Sequence, residues 1–333
     1  MILKKKKILI TGGSGYIGSC LAVYLSKNYS ITTLDKKNKN NFIKKKIHHF
    51  KIDLCNKKKL YEIINKINPQ TIIHLAGQST IDMVERKKSL YLKNNFIATK
   101  NLIDIIQELK VPNLIFSSTA AIYKKKIKLN ESSELFSKNS YGLSKIKCEN
   151  EIKKLNPKIS KYCILRFFNV VSSLKKNKIG EFHNPETHLM PIVINSIFNK
   201  KKIFIYGKNY KTKDGTCNRD YIHILDILNA IELSIKYLSK KKNKSNIFNL
   251  GSGKCLSVLQ IIKACFKFTN LKTKIKYIKN RKFDVAHLLC DIKKAKKILK
   301  WRPKHSNLKK IIFDEIWWYK FLYKRKIKRQ FIY

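Results

Sequence analysis

Tyr141 and Lys145 stand four residues apart in Tyr141-Gly-Leu-Ser-Lys145, a spacing that puts both side chains on one face of a helix. A phenol with a pKa near 10 is a poor base at neutral pH, and a neighbouring ammonium favours its phenolate. Lowering that pKa by about 3 units takes about 4 kcal/mol of differential stabilisation. Lys145 and the positive charge of an oxidised nicotinamide would supply it together. Tyr141 would then remove the proton of a substrate hydroxyl while the adjacent carbon gives hydride to the nicotinamide. Thr119, which closes the run Phe116-Ser-Ser-Thr119, would hydrogen-bond the reacting hydroxyl and relay its proton. The plainer role for Thr119 is a strand-end cap. Among 16 tyrosines and so many lysines the Tyr-x-x-x-Lys spacing arises easily, so its weight depends on what surrounds it.

Hydride chemistry needs a dinucleotide, and the beginning of the chain offers a seat for one. The apolar run Lys7-Ile-Leu-Ile10 leads into Thr11-Gly-Gly-Ser-Gly-Tyr-Ile-Gly18. A strand, a glycine turn and an apolar helix start let the backbone approach a pyrophosphate, with the helix N–H groups and dipole aimed at it. Gly12, Gly15 and Gly18 are the candidate positions. A second run, Ile31-Thr-Thr-Leu34, ends in Asp35, 17 residues past Gly18. That is near the ~20 expected of a carboxylate that binds the adenosine ribose 2′-OH. A carboxylate there favours NAD over NADP, because it repels a 2′-phosphate; Lys36 and Lys37 blur this preference.

The elements that must hold these residues alternate through the first half. A helix is expected over Tyr16–Lys27. The runs Thr71–Leu75, Asn113–Ser118 and Tyr162–Phe168 read as buried parallel strands. Lys57–Lys66, Asn95–Lys110 and Tyr141–Leu155 read as helices between them. This is a doubly wound, Rossmann-type α/β sheet, whose ligands sit at the carboxyl ends of the strands, just after Leu75, Ser118 and Phe168. Past residue 170 the alternation loosens. A loop is expected over Ser172–Thr187, a helix from Leu189, a strand Ile203–Tyr206 and a polar loop Gly207–Asn218. Helix Asp226–Leu238, strand Asn246–Leu250, helix Val258–Phe268 and a C-terminal helix through Trp317-Trp318 follow. The division expected is a nucleotide domain over residues 1–170 and a smaller α/β substrate lobe over 171–333, some segments of which return to the first domain.

A chain of 333 residues with 44% hydrophobic content can bury a large core. No apolar run reaches the ~18 residues of a membrane span, and no signal peptide is expected at the N-terminus. The eight cysteines are scattered, which suits reduced thiols in the cytoplasm; no metal site is expected. The net charge of +52 invites a nucleic-acid reading. The lysines are spread over nearly every polar stretch, however, and no nucleic-acid motif accompanies them. Lys, Asn, Ile, Tyr and Phe, all with AT-rich codons, are abundant together, so mutational bias explains the charge and no specific nucleic-acid partner is expected. Of 73 basic residues seven are arginine: Arg86, Arg166, Arg219, Arg281, Arg302, Arg325 and Arg329. Against that drift, an arginine marks a place where a planar, bidentate guanidinium is needed; Arg325 and Arg329, in the basic tail, read as ones that simply escaped.

The chain resembles the extended short-chain dehydrogenase/reductases, and within them the UDP-glucose 4-epimerase family. The resemblance runs over nearly the whole length. It is carried by the glycine loop, His74-Leu-Ala-Gly77, Asn94-Asn95, Phe116-Ser-Ser118, Tyr141-x-x-x-Lys145, Leu165-Arg-Phe-Phe-Asn169, His188-Leu-Met-Pro191, Phe248-Asn-Leu-Gly-Ser-Gly253 and Trp301-Arg-Pro303. The most specific stretch is Asn209-Tyr-Lys-Thr-Lys-Asp-Gly-Thr-Cys-Asn-Arg-Asp-Tyr-Ile-His223. The resemblance implies NAD contacts from Gly12, Gly15, Tyr16, Ile17, Gly18, Asp35, Asp53, Leu54, Leu75, Ala76, Gly77, Asn94, Tyr141, Lys145 and Phe168. It implies Tyr141 as the base, with Lys145 and Thr119 beside it in the reaction. It implies a UDP-sugar site lined by Thr119, Asn169, His188, Leu189, Tyr206, Arg219 and Arg281, the two arginines suiting a diphosphate. A cytoplasmic homodimer is implied as well.

The implied reaction interconverts UDP-galactose and UDP-glucose. NAD oxidises C4, the 4-keto sugar turns in the pocket, and hydride returns to its other face. Related 4,6-dehydratases need an Asp-Glu pair after the threonine, and decarboxylating relatives keep the Glu; Ala120-Ala121 can serve as neither. Four positions depart from the family pattern. Ser79 replaces a common Lys, Lys124 and Phe283 replace glycines, and Leu288 stands where some members carry a bulky Tyr that limits sugar size. Leu288 therefore leaves UDP-N-acetylhexosamines open as substrates, and a UDP-pentose stays open too. A non-catalytic NAD-binding protein of the same fold is the remaining alternative.

Overall fold

The computed structural model describes residues 5–39, 47–78, 88–124, 126–183, 186–281, 284–325 and 327. Ser79, Arg86, Phe283 and Arg329 lie outside them, as does most of the basic tail. The chain divides into two compact units. The first comprises Met1–Ile122, Glu134–Phe167 and Leu228–Phe248; the second comprises Tyr123–Ser133, Phe168–Ile227 and Asn249–Tyr333.

The first unit is built on a parallel sheet. Strands β1 (Lys7–Thr11), β2 (Ser30–Asp35), β3 (His48–Lys51), β4 (Thr71–His74) and β5 (Asn113–Thr119) are joined by strands Lys161–Phe167 and Asn246–Leu250. The order across the sheet is Asn246–Leu250, Lys161–Phe167, β5, β4, β1, β2, β3, seven strands among the described residues. From β3 to Lys161–Phe167 neighbouring strands are parallel. The inner strands are apolar on both faces because helices cover both, which is why they read as continuous hydrophobic runs. Leu9, Leu34, Ile72, Leu114, Phe116 and Ile164 from the sheet are buried with Leu60, Ile64, Leu102, Ile106 and Ile152 from the helices. Full burial of each such side chain contributes about 1.5–3 kcal/mol.

The helices are α1 (Tyr16–Leu25), α2 (Lys57–Ile67), the single turn α3 (Lys88–Tyr91), α4 (Ala98–Glu108) and α5 (Ser140–Lys153). Asn56 caps α2 by accepting from the Lys59 N–H, and Asn68 ends it in the left-handed conformation; such caps satisfy orphan backbone groups. Three features depart from the sequence reading. Helix α1 stops at Leu25 rather than Lys27. The expected helix Asn95–Lys110 is a π-turn over Leu92–Ile97 followed by α4. Strand β3 was hidden because its residues, His-His-Phe-Lys, are only partly covered and pair with β2 alone; an edge strand needs no apolar run.

The second unit holds a five-stranded sheet among the described residues. Strands Cys255–Ser257, Asn218–His223, His287–Cys290 and Lys128–Leu129 follow one another, and Asn169–Val171 also pairs with Asn218–His223. The strand Asn218–His223 was not foreseen, because its Asn-Arg-Asp start breaks any strand-like alternation. A separate parallel pair joins Ile203–Tyr206 to Ile275–Ile278. Helices Leu189–Phe198, Val258–Thr269 and Leu308–Lys324 supply the core of this unit. The expected loop Ser172–Thr187 contains the antiparallel pair Ser173–Leu174 and Ile179–Gly180. All eight cysteines are free thiols. Among the described residues no helix is long and apolar enough to cross a membrane.

Candidate active site

The reacting residues meet where β5 ends and α5 begins. Asn139 caps α5 by accepting from the Gly142 N–H at 2.7 Å. The first turn of α5 lies so close to the Ala120–Ile122 turn that a Cβ on Gly142 would stand 2.8 Å from the Ala121 carbonyl oxygen and 2.1 Å from Ser137 Oγ. Only glycine fits there, which explains the residue after Tyr141. Tyr141 and Lys145 are both buried, as the four-residue spacing predicts. The Thr119 hydroxyl accepts the Ala121 N–H at 3.2 Å, its strand-end role, and its presence favours the ionised form of the Tyr141 phenol; the Tyr91 ring sits edge-on to the Tyr141 ring at 6.3 Å.

Electrostatics here differ from the sequence expectation. Burial pushes the Tyr141 phenol up to about 12, with Thr119 acting the other way. Lys145 donates to the Ser117 carbonyl at 2.8 Å and lies 4.6 Å over the Phe116 ring; burial brings it down to about 8. Lys145 alone therefore does not make a phenolate of Tyr141. An oxidised nicotinamide would bring a second positive charge to the phenol.

The glycine loop suits a dinucleotide. Gly12 has φ +72°, and a Cβ on it would meet the Ala76 nitrogen at 2.7 Å, so the β1 and β4 loops touch through bare backbone. Gly15 is the N-cap of α1, with no side-chain cap and no acidic residue in the first turn, leaving N–H groups for phosphate. Asp35 ends β2 and accepts from the Ser14 and Lys37 N–H groups at 3.0 Å each. Lys36, which blurred the choice of cofactor, is committed elsewhere: its ammonium lies 3.0 Å from Asp53 and 2.6 Å from Asn94 Oδ1. That removes an obvious anchor for a 2′-phosphate and ties together two expected cofactor contacts. Ala76 and Gly77 follow β4, and Leu54 is buried two residues after Ile52.

A buried hydrogen-bond chain, missed in the sequence reading, links this loop to α5. Thr11 Oγ1 meets His74 Nδ1 at 2.6 Å, and His74 Nε2 meets Thr99 Oγ1 at 2.9 Å. Thr99 donates its proton to the Asn95 carbonyl at 2.6 Å, so Nε2 of His74 carries the hydrogen and Nδ1 accepts from Thr11. Asn95 grips the Gln78 N–H and carbonyl at 2.7 and 3.2 Å and donates to Ser144 Oγ at 2.9 Å. Ser144 donates to the Tyr141 carbonyl at 2.7 Å. Of the Asn94-Asn95 pair, sequence reasoning had assigned only Asn94.

His74 gives this chain an acid limit. Burial, then the charge of Lys145, lowers it to about 3, below the usual 6.5 or so of an unfolded histidine. The unfolded chain therefore takes the proton first. Stability from this group is complete above pH ~6.5 and falls on acidification by up to about 1.4 kcal/mol per pH unit. Urea unfolding at pH 7.5, 6.5 and 5.5 should show a slope that is smaller by about one proton in His74→Gln. Equal slopes in the two proteins would remove His74 as the cause.

A second buried group anchors α5 from the other side. Arg166 grips Glu149 through Nε at 2.9 Å and Nη2 at 2.6 Å, and Ser118 Oγ donates to the same carboxylate at 2.6 Å. This accounts for one of the scarce arginines: it serves the architecture.

In the second unit the structure brings three of the expected substrate residues together: Tyr206, Arg281 and, through Asp284, Arg219. Arg281 lies over the Tyr206 ring at 3.9 Å, an arrangement that leaves the guanidinium edge free to donate. Arg219 donates to the Asn218 and Val285 carbonyls at 3.0 and 2.6 Å and to Asp284 at 3.1 Å. The Asp284 N–H bonds back to the Arg281 carbonyl at 3.3 Å. Asn169 pairs with Tyr221 in the sheet, and Leu288 lies opposite Arg219 in register. Phe168 donates its N–H to the Leu250 carbonyl at 3.0 Å. Leu189 opens its helix after His188. The His188 ring, however, turns its Nδ1 to Glu181.

The model of the NAD dependent epimerase/dehydratase family matches residues 8–251. A UDP-glucose 4-epimerase of Mycoplasma genitalium is 36% identical over 335 residues, covering 95% of this chain and 96% of its own. A UDP-glucose 4-epimerase of Bifidobacterium longum, solved in complex with NAD+ and UDP, superposes with a TM-score of 0.88 at 26% identity, over 97% of this chain and 99% of its own. The UDP-Glc/GlcNAc 4-epimerase of Campylobacter jejuni superposes with a TM-score of 0.81 at 33% identity, over 95% and 99%.

Proposed function

This chain belongs to the NAD dependent epimerase/dehydratase family, and from that premise we propose that it interconverts UDP-galactose and UDP-glucose at the sugar C4. The observation that carries the reading is the burial of Tyr141 and Lys145 one helical turn apart, with Thr119 at the end of the strand and only Ala120 and Ala121 after it. A proton acceptor is present; the acid and base that elimination would need are absent from that turn. NAD, held by the glycine turn and Asp35, would supply the hydride acceptor for C4 and the hydride that returns to the other face of the sugar.

The residues of the chain handle the proton and the grip. Tyr141 accepts the proton of the 4-hydroxyl, directly or through Thr119, and returns it to the same oxygen. Burial keeps the phenol protonated until cofactor charge arrives, so the base is armed only in the loaded protein. Asp35 takes the adenosine ribose hydroxyls, and the Gly12–Gly18 turn takes the pyrophosphate. Arg281, braced on Tyr206, and Arg219, braced on Asp284 and two carbonyls, hold the UDP diphosphate. Asn169 and Leu189 belong to the same substrate set. The protein works as a cytoplasmic homodimer in this reading.

UDP-N-acetylhexosamines are a second substrate class, favoured by one observation. Leu288, opposite Arg219 in register, is smaller than the tyrosine some members carry, and the Campylobacter jejuni relative is named for both sugars. Purified protein should release NAD on denaturation and develop reduced-nicotinamide absorbance when given UDP-sugar. A panel of UDP-glucose, UDP-galactose, UDP-N-acetylglucosamine and a UDP-pentose, followed by NMR at the C4 proton, ranks the substrates. Folded protein that holds no NAD and converts none of them would turn the reading to a non-catalytic binder.

A further inference from the structure

Glu181, His183, Glu186 and His188 bring four ligand atoms, one from each side chain, within 4.8 Å of one another. We propose that these residues form a structural site for a divalent transition-metal ion, zinc by its donor set. The sequence reading expected no metal. The signal it passed over is the spacing Glu-x-His-x-x-Glu-x-His inside eight residues.

Three observations on this segment carry the proposal. The first is geometry. His183 Nδ1 lies 3.4 Å from Glu181 Oε1 and 3.8 Å from Glu186 Oε1, and His188 Nδ1 lies 3.7 Å from Glu186 Oε1. Tetrahedral zinc with bonds of about 2.0–2.2 Å sets its ligand atoms roughly 3.3–3.6 Å apart; the fourth pair, His188 Nδ1 and Glu181 Oε1, is in direct hydrogen-bond contact, which an ion would part. Both imidazoles present the same nitrogen, Nδ1, and their rings stand nearly perpendicular, with centroids 4.8 Å apart.

The second observation is charge. The Glu181 and Glu186 side chains are both fully buried. Two carboxylates removed from water in one place need compensating cationic charge. Two imidazoles and two carboxylates match a borderline cation such as Zn2+ better than Ca2+ or Mg2+, which favour oxygen ligands throughout.

The third observation is the support behind the ligands. Glu186 Oε1 accepts the Thr187 and His188 N–H groups at 2.9 Å each. The Glu181 carbonyl accepts Trp318 Nε1 at 2.5 Å. Ligand residues held in this way are what metal sites require. His188 is half-exposed, which gives the ion a way in. Four protein ligands close the coordination sphere, so the ion would be structural. It would pin the 181–188 segment where that segment leads into helix Leu189–Phe198.

The competing account is a metal-free cluster of imidazolium and carboxylate ions. The test uses the full chain carrying no histidine tag, stripped with EDTA and then given ZnCl2 alone. We expect about one zinc per chain to survive gel filtration, and a thermal midpoint about 5 °C or more above that in EDTA, because an ion that binds the folded chain stabilises it. Co2+ in place of zinc should give the visible bands of a tetrahedral nitrogen–oxygen site, with no thiolate charge-transfer band. The double variant His183→Gln/Glu186→Gln should lose the zinc and the bands. Folded wild-type protein that takes up less than about a tenth of an equivalent, well short of a structural site, overturns the proposal. A cobalt spectrum carrying a thiolate band, or a variant that keeps its full equivalent, overturns it as well. If the variant does not fold, the wild-type uptake and cobalt spectrum decide.

Discussion

Tyr141→Phe should lower kcat for UDP-galactose conversion by about 10²–10⁴-fold, the usual contribution of a positioned acid–base group, and leave NAD content unchanged. Phenylalanine keeps the ring that packs beside Tyr91 and Ala121 and loses only the hydroxyl beside Thr119. Stability should therefore stay within about 1 kcal/mol, since at most one hydrogen bond is at stake. The phenol stands at about 12 in the chain alone because of its burial. At pH 8 roughly one molecule in 10⁴ would carry the phenolate by that value. The rate must then depend on how far cofactor charge lowers the group. A wild-type pH profile that rises in the neutral range and flattens in Tyr141→Phe would identify this residue as the titrating base. Near-wild-type turnover by the variant would show that the proton goes elsewhere.

Arg166→Met should destabilise the fold by about 3–5 kcal/mol, the usual effect of leaving one partner of a buried ion pair alone. Glu149 is completely buried, and Arg166 holds it with two hydrogen bonds. Without the guanidinium, Glu149 keeps only Lys153 at 3.9 Å and the more distant charge of Lys145 among its described cationic neighbours. The double variant Arg166→Met/Glu149→Leu should recover most of the loss, because an apolar pair of similar volume replaces a pair of charges. Urea unfolding of the four proteins gives the coupling energy. A single variant within 1 kcal/mol of wild type would mean that water reaches Glu149, and the anchoring role would fall. The Glu149 carboxylate sits one turn past Lys145 and accepts from Ser118, the neighbour of Thr119. Weak turnover is expected together with the lost stability.

The placements that local spacing dictates were legible in the sequence. Tyr141 and Lys145 announce themselves by helical spacing, Asp35 by its distance from the glycine turn, and the inner strands by unbroken apolar runs. Partners chosen by tertiary contact were not. Nothing in Ile164-Leu-Arg-Phe167 says that Arg166 will find Glu149, which lies 17 residues earlier and on α5. Nothing in Asn94-Asn95 says which amide turns inward; the π-turn over Leu92–Ile97 decides it. The resemblance implied a sugar-lining role for His188, and the buried Glu181 beside it captures the ring. The sequence also gave no sign that Tyr123–Ser133 belongs with the second unit. That short stretch joins by pairing Lys128–Leu129 with His287–Cys290, more than 150 residues on.

The chain of contacts from Thr11 through His74, Thr99 and Asn95 to Ser144 has a consequence for anyone who would rebuild this protein. Donors and acceptors alternate along it, and His74 must carry its hydrogen on Nε2 for the sequence of bonds to close. Replacing one member by a residue of different donor and acceptor character would reverse a polarity or strand a buried group. Chimeras that swap the glycine-loop segment and the α5 segment independently should therefore fail more often than chimeras that move all five residues together.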